Sequence, residues 1–390
     1  MIIIQQEILN SALSAVTRAS LKSSLAALSL VRIDAYSNGI MHLSCFNGET
    51  AARAIVQASC EEQISVCVDA LTLKAVVETL ASEIKLFQDL GGNSLVIQSS
   101  TNRTTLRIVN EDLPVIGNEN IRIIAPIPGT ILRSISRVIP FASTDNARYV
   151  LQVLHLAFTR DMLSAQTADG YSAGCVQETI EGPADEVSVS LPLNFAKLLC
   201  GLVEERDIVR IGTCGENRYI FQITNSDTSK DLTLATVTGS ENFPAAQINT
   251  LISDARKATN AHLTIQQTSL AQSLRMVNAM GTQSTFIKAV DGIIKIASAE
   301  TETGQGRNIL EGTASGGNAS VWLSAAFLKR AVDACKGELV MRISSGPKPV
   351  LIEAGSFMAV IMPMLVEGQK DPFLAEEQGI AISLPNMAMA

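Results

Sequence analysis

The chain has 390 residues, 47% of them hydrophobic and 17% charged, with a net charge of −8 and a pI near 5.1. That much apolar side chain excludes disorder. An acidic balance with 4% aromatics and one tryptophan, Trp322, argues against a chain that coats nucleic acid with its whole surface or stacks single-stranded bases on aromatic platforms. The longest apolar run, Phe357 to Val366, contains Pro363 and falls well short of the about 20 residues of a membrane span. The start, Met1 to Glu7, has no basic leader region, so a cytoplasmic protein without membrane contact is expected.

In chain order, one pattern recurs six times: a short strand-type run, then an amphipathic helical stretch. Ile2-Ile3-Ile4 precedes Leu9, Leu13 and Val16. Ile64 to Val68 precedes Leu73, Val77 and Leu80, and Ile121 to Ile124 precedes Leu132, Ile135 and Val138. Val187 to Leu191 precedes Phe195, Leu199 and Leu202. Leu263 to Ile265 precedes Leu270, Leu274 and Val277, and Val321 to Leu323 precedes Leu328 and Val332. Steps of three and four place each set on one helix face. Further alternating runs follow, such as 94–98, 208–212 and 292–296, and Asn38-Gly39, Asn47-Gly48, Asp169-Gly170 and Asp291-Gly292 signal turns.

The repeating unit therefore reads β-α-β-β-β with mostly antiparallel strands, an α+β protein. Two units make a normal domain. Three tandem domains are expected, at 1–120, 121–250 and 262–367, with a linker at 249–261 and a tail at 368–390. The helical spans 8–22, 72–82, 129–138, 193–206, 268–281 and 324–337 hold eleven Lys or Arg and four Asp or Glu. Their net charge of +7 leaves −15 to the rest of the chain. Helix propensity explains Lys and Arg on exposed faces, but not an excess of one sign in an acidic chain. One basic face built from the six helices is expected.

Catalytic signals are sparse. The seven cysteines include no C-x-x-C pair, so no metal is expected and the thiols read as buried apolar groups in a reducing compartment. The three histidines, His42, His155 and His262, stand in no triad or metal-ligand spacing, and no phosphate loop, nucleophile elbow or dinucleotide fingerprint occurs. No cofactor and no catalytic residue are expected. An enzyme on a repeated α/β scaffold remains an alternative, since carboxylate pairs can lie far apart in sequence.

Several short segments carry a resemblance. Val360-Ile361-Met362-Pro363-Met364 resembles the V-V-M-P-M segment near the end of the bacterial DNA polymerase III beta subunit, the sliding clamp. Thr167-Ala168-Asp169-Gly170-Tyr171 resembles that family's A-T-D-G-H-R segment, and Arg148-Tyr149-Val150-Leu151 its R-Y-x-L strand. Phe243-Pro244 and Leu113-Pro114 resemble its domain-closing dipeptides. Together with the repeat, the resemblance covers residues 1–366.

It implies three clamp domains of the processivity fold and a head-to-tail homodimeric ring that encircles duplex DNA without reading sequence. Twelve helices about 10 Å apart would surround a hole of roughly 28 Å, wide enough for a duplex. The DNA-facing candidates are Arg18, Lys22, Lys74, Arg133, Arg137, Lys197, Arg275, Lys329 and Arg330. Lys and Arg near phosphates attract without specifying bases.

The resemblance also implies a pocket for a peptide with a Gln and a Leu/Phe pair, shared by the DNA polymerase III alpha subunit, the clamp loader and other clamp-binding-motif proteins. By correspondence it would include Leu151, Ala168, Gly170, Tyr171, Ser172, Pro244, Ile248, Val360, Met362, Pro363 and Met364. Without the resemblance, Val360-Ile361-Met362 reads as an ordinary core strand. For the dimer, Arg103 and Arg107 on a first-domain strand would face Glu300 and Glu302 on a third-domain strand, with Met280 adding apolar contact. Opposite charges would select head-to-tail pairing.

The implied role is a non-catalytic processivity factor for DNA replication, cytoplasmic and nucleoid-associated. Departures from the family pattern keep a second reading open. Tyr171-Ser172 stand where His-Arg is common, and Leu365 where Arg is usual. A non-encircling scaffold, or a specialised clamp of plasmid or phage type with altered partners, is the alternative. The tail, with Gln378 to Pro385, is either a solvent-exposed extension or a segment that visits the pocket.

Overall fold

A computed structural model describes the chain except residues 24, 101, 112, 114–120, 216–217, 240–241, 258, 303, 366–369 and 375–390. Leu113-Pro114 therefore lies partly, and Gln378 to Pro385 wholly, outside the described residues. All six expected helices form: α1 (Gln6–Val16), α2 (Ala70–Glu78), α3 (Gly129–Ile135), α4 (Leu193–Leu202), α6 (Gln267–Asn278) and α7 (Ala325–Ala334). Each follows a strand directly. The residue before the first turn, Gln5 or Asp69 for example, is still extended, and Asp69 caps its helix by accepting the Thr72 N–H at 2.8 Å. The apolar faces are buried, as with Leu9, Leu13 and Val16 in α1 and Leu270, Leu274 and Val277 in α6. No helix among the described residues is long and apolar enough to cross a membrane.

A meander of three strands follows each of these helices, with a short fourth strand, Ser59–Cys60 or Gly312–Gly316, added in two copies, so the β-α-β-β-β unit occurs six times. The copies interlock in pairs by exchanging first strands. Ile2–Gln5 of the first copy pairs with Glu83–Gln88 of the second, and Ile64–Asp69 of the second pairs with Leu30–Ala35 of the first. Arg122–Pro128 likewise pairs with Ile208–Cys214, and Val187–Pro192 with Val153–Phe158. Ala261–Gln266 pairs with Glu338–Ile343, and Ala319–Ser324 with Ser284–Val290.

The chain forms two compact units, one of residues 1–139, 152–165 and 178–243, the other of 140–151, 166–177 and 244–390. In the first, an eight-stranded sheet is closed by Lys230–Val237 pairing with Thr50–Gln57, beside a five-stranded sheet whose outermost strand is Arg103–Arg107. In the second, Ser172–Thr179 pairs with Phe357–Ile361, followed by Val350–Ala354, Glu338–Ile343, Ala261–Gln266 and Gly312–Gly316. A separate four-stranded sheet runs Arg307–Leu310, Ile293–Ser298, Ser284–Val290, Ala319–Ser324.

The expected linker at 249–261 is mostly helix, α5 (Ala245–Lys257). Its apolar stripe is only three residues, Ile248, Ile252 and Ala255, among Asn, Ser, Asp and Lys. That stripe is too thin to read as a core helix by periodicity. The first helix also ends earlier than expected. It closes at Val16 with a 3-10 turn at Thr17–Ala19, leaving Lys22 beyond it. Burial raises the Cys45 and Cys200 thiols to about 12, in keeping with inert apolar cysteines. His155, lowered by burial, stacks on Phe243 and lies 3.1 Å from the Ser190 hydroxyl.

A buried polar pin sits in the first unit. Asp207, fully buried, accepts hydrogen bonds from Lys230 Nζ (2.6 Å), Asn225 Nδ2 (2.9 Å) and the Glu204 N–H (2.8 Å). Lys230 also donates to the Leu202 carbonyl at the end of α4. Gly129 approaches so closely that a Cβ would lie 1.8 Å from the Glu204 oxygen. Burial opposes the Asp207 charge, but its three donors outweigh burial and hold the carboxyl below its ordinary value. The charged form thus stabilises the fold above the ordinary carboxylate pKa, and this contribution is lost as pH falls through the depressed value. Asp207→Asn should lower stability at pH 7 by about 3 kcal/mol and flatten the acid side of a thermal-unfolding pH profile.

Candidate functional site

The candidate cations sit on or beside the six helices. In the first unit Lys197 and Lys22 are exposed, and Arg18 donates to the Gly201 carbonyl at 3.0 Å. Lys74 pairs with Glu78 at 3.2 Å, Arg133 with Glu205 at 3.6 Å, and Arg137 folds back on Ser134. Exposed pairs of this kind hold little energy and exchange readily for other anions. In the second unit α6 packs against α7, and the groove between them, about 580 Å³, is lined by Arg275 and Lys329 with Leu274, Asn278, Val332 and Asp333. Lys329 pairs with Asp333 one turn on.

Arg330 differs from the others. Its Nη1 donates to Asp169 Oδ2 at 2.8 Å, and its guanidinium lies 4.9 Å from the Phe327 ring centre and 5.3 Å from that of Phe141. Only 21% of the side chain is accessible. Expected among the DNA-facing cations, it bonds to the loop at Asp169.

That loop is built tightly. Asp169 accepts the backbone N–H groups of Tyr171 (2.9 Å) and Ser172 (2.7 Å), which turns the chain at Gly170. Gly170 has φ +92°, and a Cβ there would lie 2.6 Å from Arg148 Nη1. A side chain there is strained by the backbone conformation and would displace the Arg148 guanidinium. Arg148 donates to the Asp169 carbonyl at 2.6 Å and to the Tyr171 hydroxyl at 3.2 Å, with its guanidinium 4.8 Å from the Tyr171 ring centre. Phe327 stacks against Tyr171, with ring centres 6.1 Å apart. Tyr171, 53% exposed, is thus held upright at the surface.

The C-terminal strap joins this loop. Strand Phe357–Ile361 pairs Ile361 with Ser172 and Val360 with Ala173. The Met362 N–H then donates to the Tyr171 carbonyl at 2.9 Å, and the Met364 N–H to the Trp322 carbonyl at 2.8 Å. Met362, Met364 and Leu365 are exposed, Pro363 is half-buried and Val360 is buried. The Ser143 N–H bridges the carbonyls of Leu151 and Ala168, which brings those two residues together. Gln166 Nε2 donates to Asn249 Oδ1 at 2.6 Å, setting α5, with Ile248 and its first-turn acceptor Pro244, beside the strand that ends in Ala168. The expected pocket residues therefore converge within one unit. Arg148, Asp169, Phe327 and Phe141 belong to the same cluster but were not among the expected site residues, and Arg330 joins it although it was expected to face DNA. Arg148 and Asp169 stand in the segments that carry the resemblance, whereas Phe141 and Phe327 gave no signal in the sequence.

The expected dimer residues divide. Arg103 and Arg107 lie exposed on the outermost strand of the five-stranded sheet. Glu300 and Glu302 are not on a strand. They lie in the turn between Ile293–Ser298 and Arg307–Leu310, closed by a Thr301–Gly304 bridge. The edge strand of the four-stranded sheet is Arg307–Leu310, where Ile309 is 64% exposed. Met280, half-buried, packs under Gly306 beside that strand.

Neither models of protein families nor curated protein sequences match the chain. Solved structures do. The DNA polymerase sliding clamp from Bacillus subtilis superposes with a TM-score of 0.83 at 15% identity, over 94% of this chain and 99% of that one. The sliding clamp from Pseudomonas aeruginosa gives 0.82 at 18%, over 93% and 99%. The DNA polymerase III beta chain from Streptococcus pneumoniae gives 0.81 at 18%, over 94% and 99%. The fold is that of the DNA polymerase sliding clamps. Within that class it is the fold of the DNA polymerase III beta subunit.

Arg330→Met should separate the two assignments of this residue. A pin for the Asp169 loop predicts a stability loss of roughly 2 kcal/mol and weaker binding of pocket ligands. The salt dependence of DNA binding should stay unchanged, whereas a phosphate ligand would lower the salt slope by about one.

Proposed function

We propose that the protein is a non-catalytic sliding clamp: a head-to-tail homodimeric ring that encircles duplex DNA and tethers a polymerase, a loader and other partners. The observation that carries this reading is the six-fold β-α-β-β-β repeat with cationic helices, matched along nearly its whole length by sliding clamps. Arg18, Lys22, Lys74, Arg133, Arg137, Lys197, Arg275 and Lys329 would face phosphates at a distance. Attraction without base contacts leaves the ring mobile along the axis. Retention then comes from closure of the ring rather than from affinity. In this reading the protein acts in DNA replication, beside the nucleoid.

Partners would dock at Tyr171 and Met362 to Met364. Methionines adapt to varied apolar ligands, and an exposed aromatic ring held by Arg148 and Phe327 offers a flat apolar wall. A specialised clamp with an altered partner code is the second reading, favoured by Tyr171 and Leu365 at the rim. The ring would close through the strands Arg103–Arg107 and Arg307–Leu310, each at the edge of its sheet among the described residues. Ile309 and Met280 would supply apolar burial there, with Glu300 and Glu302 alongside.

Loaded onto nicked circular DNA, the protein should stay bound through a salt wash and run off once the DNA is linearised. Equal loss from both forms would favour a non-encircling scaffold. A fluorescent Gln-x-x-Leu-Phe peptide should bind saturably and lose at least about tenfold in affinity, some 1.4 kcal/mol, with Met362→Asp. Ile309→Glu should raise the dimer dissociation constant in sedimentation by a similar factor. An unchanged equilibrium would remove this edge from the interface.

A further inference from the structure

The chain continues past the strap, and residues 370–374 dock on the four-stranded sheet. One face of that sheet carries an unusual set of side chains. Phe286 stands opposite Trp322 on one neighbouring strand and Ala297 on the other, Lys288 stands opposite Lys295, and Ala297 stands opposite Arg307. Like charges directly across a sheet are destabilising, and Lys288 is 9% exposed. Asp371 supplies its counter-charge, with Oδ2 2.7 Å from Lys288 Nζ. The other oxygen of Asp371 accepts the Phe373 N–H at 2.9 Å, and Pro372 between them restricts the turn. Phe373 is 3% exposed and packs on Phe286 and Ala297, with Lys295 and Arg307 at 5.1 and 5.9 Å from its ring centre. The face is complementary to an acid–x–aromatic segment in both charge and shape.

We propose that Asp371-Pro372-Phe373 is an intramolecular latch that positions the Met362–Leu365 strap of the partner pocket. The connection is contiguous. Phe373 packs on Phe286, Phe286 lies 4.9 Å from Trp322, and the Trp322 carbonyl holds the Met364 N–H. The strap is thus fixed at one end by strand Phe357–Ile361 and beyond the other by the latch. Asp371 and Phe373 are positioning residues: they act on Met362 and Met364 through the sheet and need not touch a partner. This role rests on the proposed pocket, whereas the latch itself does not.

The test compares the full chain with Phe373→Ala, with Phe373→Leu, and with a chain ending after Leu374, which keeps the latch and removes the rest of the tail. Hydrogen exchange is read for the segment 361–365 and, as an internal control, for α6 and α7. Affinity is read with the fluorescent Gln-x-x-Leu-Phe peptide. Phe373→Ala should speed exchange in 361–365 about tenfold and weaken peptide binding several-fold, with α6 and α7 unchanged. Phe373→Leu should restore most of both, and the truncation should change neither. Unaltered exchange in 361–365, or an equal rise in α6 and α7, overturns the latch as a positioning device. Absence of peptide binding by the parent chain would count against the pocket instead, and the exchange comparison would still decide the latch.

Discussion

The structure depends first on the exchange of leading strands between neighbouring copies of the repeat. A single copy has a three-stranded meander and one helix, too little sheet to cover the helix and two edges left unpaired. Lending its first strand to the sister meander, and receiving one in return, pairs the first edge of each meander. It also makes each copy dependent on its neighbour, since each helix runs out of a strand that pairs in the sister meander. The exchange fixes where the helices go. Each runs straight out of a strand that belongs to the other sheet, so α1 lies against α2 and α6 against α7. Arg275 and Lys329, far apart in the chain, thereby line one groove.

Charge is handled differently on the two kinds of surface. On the helices, cations are exposed and paired loosely if at all, a condition suited to diffuse attraction of phosphates. At the Asp169 loop, cations are held. Arg148 and Arg330 are bonded to Asp169 and lie against aromatic faces, while the Tyr171 ring stays accessible. Asp207, Asp169 and Asp371 share one logic: each carboxylate is little exposed, bonded to a backbone N–H beside it, and matched by one long cationic side chain. Such pairs specify geometry more than they add stability, because desolvation offsets much of their attraction.

Much of the fold was legible in the sequence. The six helices and the meanders were readable because apolar spacing reports which face of a local element is buried. The resemblance singled out Met362-Pro363-Met364 and Asp169-Gly170, which the structure brings together, but not the partners of Asp169. Two features escaped. The helix at Ala245–Lys257 buries three residues only, so its sequence resembles a polar linker. The edge strand Arg307–Leu310 lies beyond a glycine-rich turn, and the eye stops at the acidic residues before it.

The sequence by itself determined the local elements, their six-fold recurrence, the helical charge excess and the apolar character of the strap. All are properties of residues within a few positions of one another. Tertiary structure alone set Arg330 against Asp169, 161 residues away, and pinned the chain beyond the strap through Phe373. The reason is physical. Periodicity is written by neighbours along the chain. The pairing of a charge or the burial of one ring is set by strand register and helix packing, which bring together side chains whose sequence separation carries no signal.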